Sequence, residues 1–324
     1  MQKKKGRTFA GLDAKVLAAA LGATLLAAIP LRTVQLFTNM ESHTGFFEEV
    51  NWTVYAVYGV FAVAAVVLAV LPALSGKRPA SRPVVRKNKA LAVGAFAFAA
   101  GIAYDVAYSL VKIVRTADGV TAKTLLTALF TNGIFALILQ VICGAAACIF
   151  MVLLGLSYTG EKATYGEYRL LALMPLFWTM FRLVARFMTK ISFTMVSELL
   201  LELAMLCFMM LFLLSFARVS AQISQKGEMK KVFCFGLPAA FFALTIGVTR
   251  LICTVGGRAD LLADGFPFSL ADLGFGLFAA VYLYVHMQYG RPASEDDALP
   301  ETVYTASSEQ RPADTRLDDN FLEE

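Results

Sequence analysis

The sequence predicts an all-α, multi-pass integral membrane protein with eight transmembrane helices arranged as four helical hairpins and both termini in the cytoplasm. Three observations support this fold class: an apolar composition, eight long apolar segments, and the placement of basic residues between them. Of the 324 residues, 58% are hydrophobic and only 16% are charged, whereas soluble domains carry about 25% charged residues. This composition excludes a water-soluble fold of the same length.

A helix needs about 20 predominantly apolar residues to cross a bilayer. Eight segments meet this requirement: 14–37, 52–75, 90–114, 134–157, 170–188, 194–217, 232–254 and 268–289. The first is too long and begins too late for a cleaved signal peptide, and further spans follow it. The fifth contains Arg182 and Arg186 and is the weakest span; without it, the C-terminus would change sides.

The basic residues predict the orientation of the bundle. Most of the 29 Lys and Arg residues lie in the N-terminal segment, in the tail, and in the loops after the second, fourth and sixth spans. Cytoplasmic loops carry such an excess of positive charge, so these segments are predicted to be cytoplasmic. A seven-span arrangement would place Arg218, Lys226, Lys230 and Lys231 outside, which the same rule disfavours. Short loops and a basic inner face are typical of a bacterial plasma-membrane protein.

Two regions are predicted along the chain: a transmembrane bundle over residues 1–289 and an acidic, disordered cytoplasmic tail over residues 290–324. The tail holds ten acidic residues and three arginines, a composition that does not support a packed core. It is interpreted as a solubilising segment, with docking to a cytoplasmic partner as the alternative. The expected partners are therefore the lipid bilayer, a cytoplasmic protein at the tail, and a small anionic solute, but not nucleic acid.

Charged side chains fall inside the predicted spans, where each costs at least about 2.5–3.5 kcal/mol near the bilayer centre. The candidate binding residues for a solute or ion are Arg32, Asp105, Arg182, Arg186, Glu198, Glu202, Arg250 and Asp272. Because of this cost, such residues tend to face protein or water and to pair with one another.

The geometry of a hairpin predicts partners for the charges of the third hairpin. Arg182 and Glu198 lie eight residues before and after Lys190. At 1.5 Å per residue both should lie about 12 Å below the turn. Glu202 lies one helical turn deeper, beyond what this local pairing needs.

The same reasoning pairs Arg250 with Asp272, which lie at equal distances from Leu261 in the fourth hairpin. Arg32 in the first hairpin and Asp105 in the second have no oppositely charged residue at matching depth within their own hairpins. We therefore expect Arg32 and Asp105 to meet across hairpins and to close a ring of charge in the outer half of the bundle.

Two interpretations of these charges remain open. In the first, they line a polar cavity that opens to the outside, where arginines bind an anionic group and acids relay protons or cations. In the second, they form ion pairs that lock the hairpins together. Gly101, Gly144, Gly274 and Gly276 are expected to permit close helix packing.

Enzyme function has little support in the sequence, because no phosphate-binding loop, zinc-protease motif or nucleophile elbow is present. The five cysteines and two histidines show no metal-binding spacing, and no catalytic residue, cofactor or metal is predicted. The favoured hypothesis is a transporter or channel-like protein for a small solute. The alternatives are a non-catalytic sensory, regulatory or scaffolding membrane protein and, less favoured, a lipid-processing membrane enzyme.

Overall fold

The computed structural model describes residues 14–41, 47, 49, 52–74, 77–78, 87–117, 133–160, 170–188, 196–221, 228–262, 267–288 and 291–292. Eight α-helices occupy most of these ranges: α1 (Ala14–Asn39), α2 (Trp52–Leu74), α3 (Lys89–Ala117), α4 (Ile134–Thr159), α5 (Met174–Met188), α6 (Val196–Ser220), α7 (Glu228–Val255) and α8 (Leu270–Gln288). Short 3-10 turns lie at Leu171–Leu173 and Ala259–Leu261, and two-residue strands at Lys77–Arg78 (β1) and Arg291–Pro292 (β2).

All eight helices are long and apolar enough to cross a membrane, which confirms the prediction of a multi-pass helical membrane protein. The fifth span is 18 residues long when the 3-10 turn at Leu171–Leu173 is included with α5. Backbone contacts divide the chain into Met1–Arg291, which holds all of these helices, and Pro292–Glu324. The predicted turn at Lys190 and nearly all of the predicted tail lie outside the described residues.

Helix α7 lies at the centre of the bundle, and 83% of the residues in an 18-residue apolar segment of this helix are buried. It packs against α1, α2, α6 and α8, whereas α3 packs mainly against α4 and α8. Aromatic rings fill the space between α6 and α8: Phe216 contacts both Phe278 and Tyr282 edge-to-face, with centroids 5.7 and 5.2 Å apart. Such packing, and not a hydrophobic driving force, is the main source of helix association within a membrane.

Two glycines allow α3 and α8 to approach closely. A Cβ atom added at Gly274 would lie 2.6 Å from the backbone oxygen of Ala97, and one added at Gly101 would lie 2.6 Å from the Cα of Ala271. Both contacts are with backbone, which cannot move aside without shifting a whole helix. The predicted role of Gly101 and Gly274 in close packing is confirmed.

Candidate functional site

The eight charged residues predicted as binding candidates lie in matching halves of their helices. The C-terminal halves of α1, α3, α5 and α7 and the N-terminal halves of α6 and α8 contribute them: Arg32, Asp105, Arg182, Arg186, Arg250, Glu198, Glu202 and Asp272. These are four arginines and four carboxylates, so their formal charges balance. The structure joins all of them except Asp105 in one ion-pair network, with different partners from those that hairpin geometry predicts.

Glu202 is the centre of this ion-pair network. Its side chain is fully buried, and its Oε1 accepts a hydrogen bond from Nε of Arg186 at 2.8 Å. Its Oε2 accepts a hydrogen bond from Nη2 of Arg250 at 3.2 Å. Nη2 of Arg182 lies 3.7 Å from Oε1. One carboxylate thus holds arginines from α5 and α7 around the start of α6.

The predicted pairing of Arg182 with Glu198 is wrong. Both terminal nitrogens of Arg182 bond to Asp272 on α8: Nη1 contacts Oδ1, and Nη2 donates to Oδ2 at 2.9 Å. The predicted pairing of Arg250 with Asp272 is wrong as well, because Arg250 Nη2 contacts Glu198 Oε2 at 3.4 Å and Glu202. The physical reason is that α6 packs far more extensively against α7 than against α5, so its acids face the arginine of α7.

Arg32 and Asp105 do not form the predicted pair across hairpins. Arg32 donates to Glu198 Oε1 and to the amide oxygen of Gln35, and all three side chains are buried. Helix α1 packs against α2, α7 and α8, whereas α3 lies against α4 and α8. Helices α1 and α3 therefore share α8 as a neighbour without packing extensively against each other, and Arg32 contacts Glu198 of α6 instead.

Asp105 is held by neutral donors instead. Its Oδ2 accepts hydrogen bonds from Gln140 Nε2 at 2.9 Å and from Trp178 Nε1 at 3.0 Å. Asp105 also interacts electrostatically with Arg182, whose guanidinium carbon lies 5.7 Å from the centre of the Trp178 ring. Gly144 leaves room for this indole, since an added Cβ would lie 2.9 Å from Trp178 Cδ1.

Two side chains that bond to these charged residues, Trp178 and Gln35, were not among the predicted candidates. A buried indole N–H needs an acceptor, so the position of Trp178 within a span could have indicated a polar partner on a neighbouring helix. Gln35, one helical turn after Arg32, is 1% exposed and could have indicated a buried polar cluster. Neither pattern identifies which partner is used.

A partly open cavity of about 150 Å³ lies beside the ion-pair network, between α3, α4, α5 and the residues that precede α8. The polar residues in its wall are Tyr104, Asp105, Tyr108, Ser109, Lys112, Gln140, Arg182, Arg186 and Ser269. Three of these are cationic and one is anionic, so the described residues of the wall carry an excess of two positive formal charges. Arg182 and Arg186 are also paired with Asp272 and Glu202, which lie outside the wall. We call this space the α3–α5 cavity.

The cations of the α3–α5 cavity differ in exposure. The side chain of Arg182 is 6% exposed and that of Arg186 is 23% exposed, whereas Lys112 is exposed. Lys112 and Arg186 are close enough for their charges to interact unfavourably. A bound anion would relieve this repulsion, and in a site with restricted water access it would interact more strongly than on an exposed surface.

Comparison of the chain with known protein families, curated proteins and solved structures found no match. Among the described residues, no group of three or more His, Cys, Asp or Glu side chains is placed to hold a metal ion.

Proposed function

We propose that the protein is a plasma-membrane transporter that binds a small anionic solute in the α3–α5 cavity. The observation that carries the proposal is a cavity between transmembrane helices whose described wall residues include three cations and one carboxylate. Intramembrane charges are costly and commonly mark substrate or ion pathways. Here Arg182 and Arg186 line the cavity and also belong to the ion-pair network. A ligand in the cavity would therefore change the contacts that these arginines make with α6 and α8.

The proposed arrangement has four antiparallel hairpins with the cavity opening to the outside and both termini in the cytoplasm. Contacts between the C-terminal halves of α5 and α7 and the N-terminal halves of α6 and α8 support antiparallel neighbours. The excess of Lys and Arg at the opposite ends of the helices supports a cytoplasmic position for those ends.

The ion-pair network offers a way for binding to change the structure. An anion in the cavity would compete with Asp272 and Glu202 for Arg182 and Arg186. Weakened contacts from α5 to α6 and α8 would favour a second arrangement of these helices. Such a shift requires that the anion bind the second arrangement more tightly than the first.

Transport and its dependence on the cavity can be tested in proteoliposomes. The assay measures uptake of phosphate, sulfate, L-lactate and propionate by the wild-type chain, by Arg186→Gln and by Arg258→Gln. Arg258 is a matched control, because it lies between α7 and α8, is paired with Asp260 and does not line the cavity. Loss of a charge-assisted hydrogen bond costs about 1.5–3 kcal/mol, so Arg186→Gln should reduce uptake of the transported anion by about tenfold or more.

The Arg258→Gln variant should retain wild-type uptake within about twofold, since surface ion pairs contribute about 1 kcal/mol or less. Equal loss in both variants would indicate that bulk surface charge, and not the cavity, is responsible. Wild-type vesicles that accumulate none of the anions would contradict anion transport.

A second candidate is a sensory, regulatory or scaffolding membrane protein, and the extensive pairing of buried charges in the ion-pair network favours it. The ion pairs that four arginines form with Glu198, Glu202 and Asp272 can stabilise the bundle without any ligand. Binding of an anion without uptake would favour a sensor. A lipid-processing enzyme has less support, because Asp105 is the one carboxylate that the described residues contribute to the cavity wall.

A further inference from the structure

Asp105 uses its two carboxylate oxygens differently. Both of its hydrogen bonds, from Gln140 and from Trp178, end on Oδ2. Within the part of the chain that the structure describes, no group donates a hydrogen bond to Oδ1. The side chain is only partly buried and belongs to the wall of the α3–α5 cavity, so Oδ1 is an acceptor available to a ligand.

An acceptor in a cationic cavity restricts which anions can bind. A fully deprotonated anion can contact Arg182 and Arg186, but it brings only oxygen lone pairs to Asp105 and is repelled there. An anion that also carries an O–H or N–H can donate to Oδ1, and a charge-assisted hydrogen bond of this kind is about twice as strong as a neutral one. A site built to accept a hydrogen bond discriminates strongly against a ligand without the donor, because the polar group of the site is then left unpaired.

The size of the cavity limits the ligand further. A cavity of about 150 Å³ matches the volume of an engineered protein cavity that holds benzene, a molecule of six carbon atoms. Inorganic phosphate and a three-carbon hydroxycarboxylate both fall in this range. Both also combine a negatively charged oxygen with an O–H group.

We propose that Asp105 is a specificity-determining residue that selects small anions carrying a hydrogen-bond donor, such as hydrogen phosphate or a short hydroxycarboxylate. This inference rests on the proposed anion site. The ligand places its negative oxygens toward Arg182, Arg186 and Lys112 and its O–H toward Oδ1 of Asp105. Trp178 acts as a positioning residue, because its bond to Oδ2 fixes the orientation of the carboxylate.

The Asp105→Asn substitution gives a prediction with a defined sign. Gln140 and Trp178 both donate to Oδ2, so the single oxygen of asparagine should remain at that position. The amide nitrogen then replaces Oδ1 and presents a donor to the cavity. Anions without a donor, which the wild-type carboxylate repels, should bind more tightly to this variant.

The experiment uses the purified full chain in nanodiscs and measures the binding of two matched pairs of anions near pH 7. Phosphate and sulfate have the same shape, but only phosphate carries an O–H. L-lactate and propionate have the same carbon skeleton, but only lactate carries a hydroxyl. The wild-type chain should prefer the donor-bearing member of at least one pair by about tenfold or more, the range expected for a charge-assisted hydrogen bond. The pair that shows the preference distinguishes phosphate from a hydroxycarboxylate.

Asp105→Asn should reduce this preference at least about fivefold by raising the affinity for sulfate or propionate. Asp260→Asn is the matched control, because Asp260 pairs with Arg258 outside the cavity, and it should keep the wild-type ratio. Tight binding of anions without any preference in the wild-type chain would overturn the role of Asp105 and leave the anion site intact. Binding of no anion would overturn both proposals. If Asp105→Asn does not fold, the wild-type ratios alone decide, and equal affinities within each pair overturn the inference.

Discussion

Replacement of Glu202 by glutamine tests whether charge balance holds the bundle together. Glutamine has nearly the same shape as glutamate and keeps one acceptor oxygen, so the substitution removes charge with little change in packing. Arg182 retains its bonds to Asp272. Arg250, which is 3% exposed, retains a contact of 3.4 Å to Glu198, which Arg32 also uses.

The magnitude follows from what the substitution leaves behind. A side-chain hydrogen bond between transmembrane helices contributes about 0.6 kcal/mol on average. Removal of one partner from a buried ion pair destabilises a protein by about 3–5 kcal/mol, because the other charge stays buried without compensation. Arg186 is 23% exposed and can be partly solvated, whereas Arg250 cannot. We therefore expect Glu202→Gln to lower the free energy of unfolding by about 3–5 kcal/mol.

The assay is reversible unfolding in mixed micelles with increasing sodium dodecyl sulfate, followed by helix content. Glu228→Gln is the matched control, since Glu228 is also buried but its partners Arg218 and Lys231 are about half exposed. Glu228→Gln should change the free energy of unfolding by about 1 kcal/mol or less. The double variant Glu202→Gln, Arg250→Gln removes one charge of each sign. Its loss of unfolding free energy should be smaller than the sum of the losses in the two single variants by about 1–3 kcal/mol.

A loss below about 1 kcal/mol for Glu202→Gln would refute the reasoning, because lost hydrogen bonding alone would then account for it. Strict additivity in the double variant would also refute it. Either result would mean that water or lipid headgroups already compensate these charges.

Two further predictions concern packing and orientation. Gly274→Ala should destabilise the bundle by about 1–3 kcal/mol, because the added Cβ would meet the backbone of Ala97. The control Gly22→Ala should be neutral or slightly stabilising, because a Cβ at Gly22 meets nothing within 4 Å. Equal effects of the two substitutions in the same unfolding assay would contradict the close α3–α8 contact. The orientation can be tested in intact cells that express a variant of the protein without its native cysteines. In this variant, Arg258→Cys should react with a membrane-impermeant maleimide, and Lys231→Cys should not. The reverse result would show that the proposed orientation is inverted.

The spans were predictable because apolar length is a property of each segment by itself. The segment predicted at 134–157 corresponds to Ile134–Thr159 and that at 52–75 to Trp52–Leu74. The presence of charges in the spans was equally visible, and so was the extra acid Glu202. Each of these inferences needs only the local sequence and the thickness of a bilayer.

The pairing of the charges was not predictable in the same way. Distance from a turn fixes the depth of a residue, but it leaves open the direction in which the side chain points around its helix. Counting residues from the turn therefore predicted that Arg182 pairs with Glu198. In the structure α7 is central, so Glu198 contacts Arg250 of that helix. Arg182 pairs with Asp272 instead. Partner choice depends on which helices are neighbours, and that is a property of the whole bundle.

The shared position of Arg182 argues for a link between stability and binding. The residue is held by Asp272 inside the ion-pair network and also lines the α3–α5 cavity. A purely structural ion pair gains nothing from a further cation beside it, since Lys112 and Arg186 interact unfavourably. A ligand-binding site gains from the three cations of the cavity wall, because a bound anion interacts favourably with all three and relieves the repulsion between Lys112 and Arg186. Anion binding should therefore stabilise the folded chain by an amount that grows with ligand concentration, while the ion pairs of the network allow the bundle to fold without the ligand.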